Sequence, residues 1–201
     1  MGLWERWRVW RNGRQFVRKG PGCQFSSGRI EVKGHVALGQ GCVIRGNVVL
    51  RTHKGGKIFV GDGVELGDYV LIQSNGEIEI GCCTYVAPHC VIRDTNHLFH
   101  GTDVHWRLTP HIVKPIVIGP KCYLGARTYV MPGVTIGEGA VVAPGSVVTK
   151  DIPSCEIWAG SPARFVVHRT DPAKRSALKR NLSLVSLFGV AQAGPKEGEQ
   201  G

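Results

Sequence analysis

The chain has 201 residues and a formal net charge of +10, a length typical of one domain. No apolar run approaches the roughly 20 residues that a membrane-spanning helix needs, which argues against such a segment. The seven cysteines show neither paired CxxC motifs nor a disulfide framework, so we expect a reducing, cytoplasmic location.

Residues 1–29 are predicted to form a basic, aromatic N-terminal cap. Trp4, Trp7 and Trp10 recur every three residues among arginines, a spacing typical of one stripe on a helix. Such a segment either covers the open edge of a repeat structure or lies peripherally on the anionic inner face of a membrane. We favour the cap, because solenoids need capped ends. No nucleic-acid recognition motif accompanies the charge, so nucleic acid is not an expected partner.

Residues 30–153 repeat with a period of six. The repeat is strictest at six apolar positions, each preceded two residues earlier by a compact or β-branched residue: Ile118, Leu124, Val130, Ile136, Val142 and Val148. A helix repeats every 3.6 residues and a strand every two, so neither explains this period. The period predicts an all-β fold, a parallel β-helix of six or seven coils. Cysteines at the compact positions are predicted to be small core residues.

Three interruptions break the repeat, and they lie between Leu50 and Val60, between Ile72 and Ile80, and between Ile92 and Ile118. The third leaves residues 94–114 as an extruded loop. Loops of this length inside a compact repeat are uncommon unless they are functional or disordered. This loop carries several histidines, which makes it the candidate site.

Residues 154–201 are predicted to form a C-terminal segment. Thr170, Asp171 and Pro172 are typical of a helix start, which predicts a helix over about 172–188. The polar tail that follows is expected to be disordered.

Four stretches carry a family resemblance: residues 114–119 (KPIVIG), 130–137 (VMPGVTIG), 142–153 (VAPGSVVTKDIP) and 159–164 (AGSPAR). They resemble the xenobiotic, galactoside and maltose branch of the hexapeptide-repeat acetyltransferases, over roughly residues 58–169. The resemblance implies a left-handed parallel β-helix, a homotrimer with active sites between subunits, and acetyl-coenzyme A as the acetyl donor.

The resemblance also implies a catalytic histidine where the chain leaves the coil before the long loop. That position here is His97, in the sequence Asp94-Thr95-Asn96-His97. A sugar hydroxyl cannot attack a thioester as a bare alkoxide at neutral pH, but a neutral imidazole can accept its proton during attack. We therefore predict that His97 is the general base of a direct transfer without an acyl-enzyme. The alternative is a histidine satisfied by backbone contacts.

The predicted acceptor-binding residues lie in or beside the same loop: Asp94, Asn96, His100, His105 and Trp106. His111 lies in this loop as well. Choosing His97 as the base over His100 rests on the resemblance and on proximity to the coil. The asparagine by which galactoside acetyltransferases position their acceptor has no match near residues 67–69, which leaves the acceptor class open.

The resemblance implies that coenzyme A lies along a groove between neighbouring β-helices. The matching residues are Tyr123, Gly125, Ala126, Ala143, Thr149, Lys150 and Arg164. Small corner residues let the backbone approach a ligand closely, and an amide of the Gly125–Ala126 corner is a candidate oxyanion donor. Lys150 and Arg164 suit the phosphates, the alternative being solvated surface charges.

These observations predict an acetyl-coenzyme A-dependent O-acetyltransferase acting on a hydroxyl of a sugar or glycosylated acceptor, without a required metal. N-acetylation of an amino sugar or nucleotide-amino sugar is the close alternative. A metal enzyme similar to the gamma-class carbonic anhydrases and a non-catalytic β-helix scaffold are the lesser alternatives.

Overall fold

The computed structural model describes residues 16–98, 105 and 109–170, and this part of the chain is all-β. The first twelve strands are β1 (Arg18–Lys19), β2 (Gln24–Phe25), β3 (Glu31–Lys33), β4 (His35–Leu38), β5 (Val43–Ile44), β6 (Val49–Thr52), β7 (Lys57–Val60), β8 (Glu65–Leu66), β9 (Leu71–Ser74), β10 (Glu77–Ile80), β11 (Tyr85–Val86) and β12 (Val91–Arg93). The remaining ten are β13 (Thr95–His97), β14 (His111–Val113), β15 (Ile116–Ile118), β16 (Tyr123–Leu124), β17 (Tyr129–Val130), β18 (Thr135–Ile136), β19 (Val141–Val142), β20 (Val147–Val148), β21 (Glu156–Gly160) and β22 (Ala163–His168).

The predicted tryptophan stripe and the helix predicted over 172–188 lie outside the described residues. Within the described ranges, no helix has the length and apolar character needed to cross a membrane.

Three parallel sheets form the three faces of a solenoid. Sheet A has the order β1-β4-β7-β10-β15-β18, sheet B the order β2-β5-β8-β11-β16-β19-β21-β22, and sheet C the order β20-β17-β12-β9-β6-β3. Each coil gives one strand to each sheet, so the chain completes six coils from β1 to β20. The predicted parallel β-helix is therefore confirmed.

The strand register places the period-six residues inside the solenoid. On sheet C, for example, the stacked inward residues are Val32, Leu50, Ile72, Ile92, Val130 and Val148. All of these except the half-buried Val32 are fully buried. Removing such apolar surface from water is the main source of stability for short strands that make few bonds each. Cys42, Cys90 and Cys122 are buried in the same core, as predicted.

The solenoid begins earlier in the chain than predicted. Strands β1 and β2 pair in parallel with β4 and β5, so residues 18–29 of the predicted cap belong to the first coil. Phe16 and Phe25 supply its apolar side chains, with ring centroids 5.7 Å apart. Their spacing of nine residues, in place of six, hides this coil from the repeat pattern.

The end of sheet B is closed by an antiparallel hairpin. Strand β21 pairs in parallel with β19, and β22 then turns back along β21. Covering a sheet edge in this way protects its unpaired backbone groups. The hairpin lies in the predicted C-terminal segment, where the sequence has no hexapeptide pattern that would predict it.

All three interruptions of the repeat lie at the corner where the chain passes from sheet C to sheet A, here called the C–A corner. Residues 53–56 follow β6, residues 75–76 follow β9, and residues 94–114 follow β12. The long excursion begins and ends in the antiparallel pair β13–β14. The insertions therefore stack in successive coils and build one surface.

Candidate active site

The exit of the long excursion is fixed by the carboxylate of Asp94, which is fully buried. Its Oδ2 accepts hydrogen bonds from the Ser74 hydroxyl (2.7 Å) and the Gly76 amide (2.8 Å). Its Oδ1 accepts a bond from the Asn75 amide (2.9 Å). These bonds tie the excursion to the turn of the preceding coil. Contact between Asp94 and an acceptor would require them to open, so the structure gives this residue a role in holding the corner.

The hairpin β13–β14 positions His97 at the C–A corner. The half-buried imidazole has its Nδ1 2.7 Å from the Oγ1 of Thr109, a buried residue twelve positions later in the chain. The side chain of Asn96 turns back to accept a hydrogen bond from the His97 amide at 2.9 Å. A threonine hydroxyl at this distance fixes the orientation of the ring, as a general base requires.

A second histidine, His111, faces His97 across the hairpin. The two residues are register partners, and their ring centroids lie 4.2 Å apart. The Nδ1 of His111 is 3.4 Å from the Thr95 hydroxyl. Desolvation lowers the pKa of His111, and the charges of His97, Lys54 and Arg93 lower it further. The lowered pKa favours the neutral form of His111 beside the predicted base.

Two buried polar atoms at this corner lack hydrogen-bond partners. They are the Oδ1 of Asn75 and the Nε of Arg93, and no other buried side-chain nitrogen or oxygen in the described residues is left without a partner. Asn75 lies in the turn beneath the hairpin, and Arg93 is the last residue of β12. A buried donor and a buried acceptor without partners are costly, so both atoms are suited to meet a polar ligand. Sequence reasoning assigned neither residue.

The predicted donor corner lies between β16 and β17. The amide of Gly125 donates to the Val142 carbonyl of the next coil at 2.8 Å, so it holds coils together. A Cβ at Gly125 would stand 2.4 Å from the backbone nitrogen of Pro144. Stacking of the next coil therefore explains why this residue is glycine, where sequence reasoning invoked the approach of a ligand.

Of the two amides in the Gly125–Ala126 corner, one remains a candidate donor to the oxyanion. Since the Gly125 amide is used between coils, the amide of Ala126 remains, and it has no partner among the described residues. The carbonyl of Ala126 accepts a bond from the Gly145 amide at 2.8 Å, which fixes the peptide. Ala143, at the equivalent corner one coil later, is buried and donates its amide to the Trp158 carbonyl.

The remaining donor candidates are exposed. Tyr123 is 40% exposed on the outer side of sheet B, with its ring 5.6 Å from that of Tyr85. Thr149 and Lys150 follow β20 at the C–A corner, and Arg164 lies on β22. Neither cation forms a salt bridge with a described carboxylate, so both are available to anions.

Some predicted acceptor residues cannot be placed. His100 and Trp106 lie outside the described residues, and His105 is exposed. Within residues 16–98, 105 and 109–170, histidine, cysteine and carboxylate side chains form no group of three that could hold a metal ion.

The structure does not bring every predicted residue together in one chain. His97 follows sheet C at the C–A corner, whereas Gly125 and Ala126 precede sheet C at the opposite edge of that face. Lys150 lies on the same corner as His97, two coils later.

Comparison with known proteins adds the family relationship. The model of the bacterial transferase hexapeptide (six repeats) matches residues 115–150. An Escherichia coli K12 protein whose name assigns it to colanic acid biosynthesis, the acetyltransferase WcaF, is 36% identical over 137 residues, covering 67% of this chain and 70% of WcaF. The galactoside O-acetyltransferase of the same organism is 31% identical over 128 residues, covering 62% and 61%.

A solved structure shows the same fold. A variant of AntD, an N-acyltransferase from Bacillus cereus in complex with dTDP-4-amino-4,6-dideoxyglucose and coenzyme A, has a TM-score of 0.69. The match covers 85% of this chain and 92% of AntD, at 18% identity.

Proposed function

The chain belongs to the hexapeptide-repeat acetyltransferases, and from this we propose that it transfers the acetyl group of acetyl-coenzyme A to a hydroxyl of a sugar or glycosylated acceptor. The names of WcaF and of the galactoside O-acetyltransferase support a sugar-related acceptor and a place in polysaccharide biosynthesis. AntD, which shares the fold, binds coenzyme A.

The observation that carries the proposal is the bond between His97 and Thr109. With Nδ1–H donating to the Thr109 hydroxyl, the lone pair of the imidazole lies on Nε2. That nitrogen accepts the proton of the acceptor hydroxyl while the oxygen attacks the thioester carbonyl. The amide of Ala126 is the candidate donor to the oxyanion that forms. Collapse of this intermediate breaks the carbon–sulfur bond, and the departing thiolate takes the proton from the imidazolium.

A homotrimer belongs to the same proposal. Sheet C carries a stripe of half-buried apolar residues on its outer side, Val49, Leu71, Val91, Tyr129 and Val147. Such a stripe favours association. Because His97 and the Gly125–Ala126 corner lie on opposite edges of this sheet, a neighbouring subunit is needed to place a donor beside the base. We expect a mass three times the 21.8 kDa of one chain by light scattering, and a monomer at micromolar concentration would contradict this.

The test is acetyl transfer from acetyl-coenzyme A to a panel of sugars, glycosides and nucleotide sugars, followed by mass spectrometry. We expect an acetylated product that loses its acetyl group in mild alkali, as an ester does. A product that keeps it is an amide, which would favour the alternative of an amino sugar. The proposal would be contradicted if coenzyme A gave no thermal stabilisation and no acceptor gave an acetylated product. A ligand that binds the native state must raise its stability.

A further inference from the structure

Three basic or titratable side chains lie at the base of the excursion. Lys54 is exposed in the turn of residues 53–56, two coils before the excursion. Arg93 ends β12, and His111 stands on β14. Lys54 and Arg93 both lie near enough to the His111 ring for their charges to lower its pKa. Two insertions of one corner, two coils apart, therefore place their basic groups together beside His97.

The carboxylates described near this corner form no ion pair with Lys54 or Arg93. The carboxylate of Asp94 accepts three hydrogen bonds from the turn of the preceding coil. Glu77 follows that turn on sheet A, where it is the register partner of Lys57. Neither Lys54 nor Arg93 forms a salt bridge with a described carboxylate, and the Nε of Arg93 is buried without a partner. Among the described residues, the corner therefore presents two cations that form no salt bridge with a carboxylate.

The phosphates of the donor do not account for these cations. The donor candidates Ala126, Ala143 and Lys150 all follow the excursion, in the fifth and sixth coils. Arg93 ends the coil from which His97 departs, and Lys54 follows the second coil, so Lys54 stands on the side of His97 that faces away from these donor candidates. That side is where the acceptor has to lie if the base stands between the two substrates.

We propose that the acceptor carries a phosphate or diphosphate group and that Lys54, Arg93 and His111 bind it. This inference rests on the proposed function and names its substrate class. A guanidinium group offers a fork of donors that matches phosphate oxygens, and a lysine adds a point charge. The unpartnered Oδ1 of Asn75 is suited to a hydroxyl of the sugar. A phosphate bound here also favours the protonated form of His111, which then becomes a third charged donor.

The test measures binding of inorganic pyrophosphate to the full-length protein saturated with coenzyme A, so that the donor site is already filled. We expect calorimetric binding that Arg93→Gln and Lys54→Gln each weaken by about tenfold, the usual loss for one charge-assisted contact. Lys57→Gln removes another exposed lysine three residues from Lys54 and should change the affinity by less than about twofold. NMR titration should show a higher pKa for His111 when pyrophosphate is bound.

Replacing pyrophosphate with UDP or with geranyl diphosphate distinguishes two kinds of acceptor, a sugar linked through diphosphate to a nucleoside and one linked through diphosphate to a lipid. Tighter binding of UDP supports a nucleotide-linked sugar, and tighter binding of geranyl diphosphate supports a lipid-linked sugar. The proposal would be overturned if pyrophosphate did not bind, or if the wild type and both variants bound it equally. It would also be overturned if glucuronate, whose charge is a carboxylate, bound more tightly than pyrophosphate. In each of these cases coenzyme A still binds and the proposed function stands, whereas failure to bind coenzyme A would remove both.

Discussion

Removal of one hydroxyl group, in Thr109→Val, tests whether His97 is the general base. Valine keeps the shape of threonine in a site that is only 7% exposed and removes the oxygen 2.7 Å from the His97 Nδ1. The imidazole then loses the partner that holds its orientation. The substitution therefore acts on catalysis through His97 and leaves the donor corner untouched.

The size of the effect follows from the strength of one hydrogen bond. A neutral hydrogen bond contributes about 0.5–1.5 kcal/mol, and about 1.4 kcal/mol corresponds to a factor of ten in rate. We therefore expect kcat to fall by about 2- to 12-fold in Thr109→Val. Complete removal of the base in His97→Ala should lower kcat by about 10²–10⁴-fold. KM for acetyl-coenzyme A should change little in either variant.

The same hairpin supplies a matched control, Thr95→Val. The Thr95 hydroxyl lies 3.4 Å from the Nδ1 of His111, so the same chemical change is made at the neighbouring histidine. We expect this variant to keep kcat within about twofold, since a bond of that length contributes little. Steady-state release of coenzyme A thiol as a function of pH measures all three variants, and thermal denaturation checks that each is folded.

One pattern of results would refute the assignment. If His97→Ala keeps near-normal turnover while Thr95→Val loses more activity than Thr109→Val, the base is His111. The fold and the donor site would be unaffected by that outcome, but the acceptor would have to enter from the other side of the hairpin.

Three further predictions concern other parts of the chain. Asp94→Asn should lower stability by about 2–4 kcal/mol in urea denaturation, because an amide nitrogen replaces an oxygen that accepts bonds from buried donors; unchanged stability would show that the corner does not depend on the carboxylate. Lys150→Ala should raise the Kd for coenzyme A while largely preserving kcat at saturating donor, and an unchanged Kd by calorimetry would mark this lysine as a surface charge. Iodoacetamide at pH 8 should label the exposed Cys82 and Cys83 first and leave Cys42 unlabelled, since burial raises the pKa of Cys42 to about 11; equal labelling by mass spectrometry would contradict this burial.

The repeat itself could be predicted from sequence because it is a local pattern. Each inward position of a coil needs a branched aliphatic side chain, and the residue two before it must be compact, so a period of six is enough to place both. The same reasoning correctly places Cys90 and Cys122 at compact positions of the core. It fails at the first coil, where Phe16 and Phe25 fill the interior with larger rings at irregular spacing.

The site was predicted less completely, because its contacts depend on pairing between distant residues. Nothing in the sequence joins Thr109 to His97, and only the antiparallel register of β13 and β14 brings the two sides of the hairpin together. Asp94 was predicted to orient the base or to bind the acceptor because it lies three residues before His97. The carboxylate instead turns inward to the donors of the preceding turn, which a linear pattern does not reveal.

The position of the interruptions explains why this corner differs from the rest of the solenoid. A solenoid that repeats without change offers the same backbone and the same interior at every coil, so it cannot by itself create a unique site. Residues 53–56, 75–76 and 94–114 depart from the repeat at the same C–A corner, and each adds a distinct side chain there: Lys54, Asn75 and His97. Buried polar groups without partners, Asn75 Oδ1 and Arg93 Nε, occur at this corner and nowhere else in the described chain. A polar ligand that formed hydrogen bonds with these two atoms would offset the cost of leaving them without partners, and for this reason we expect binding at this corner.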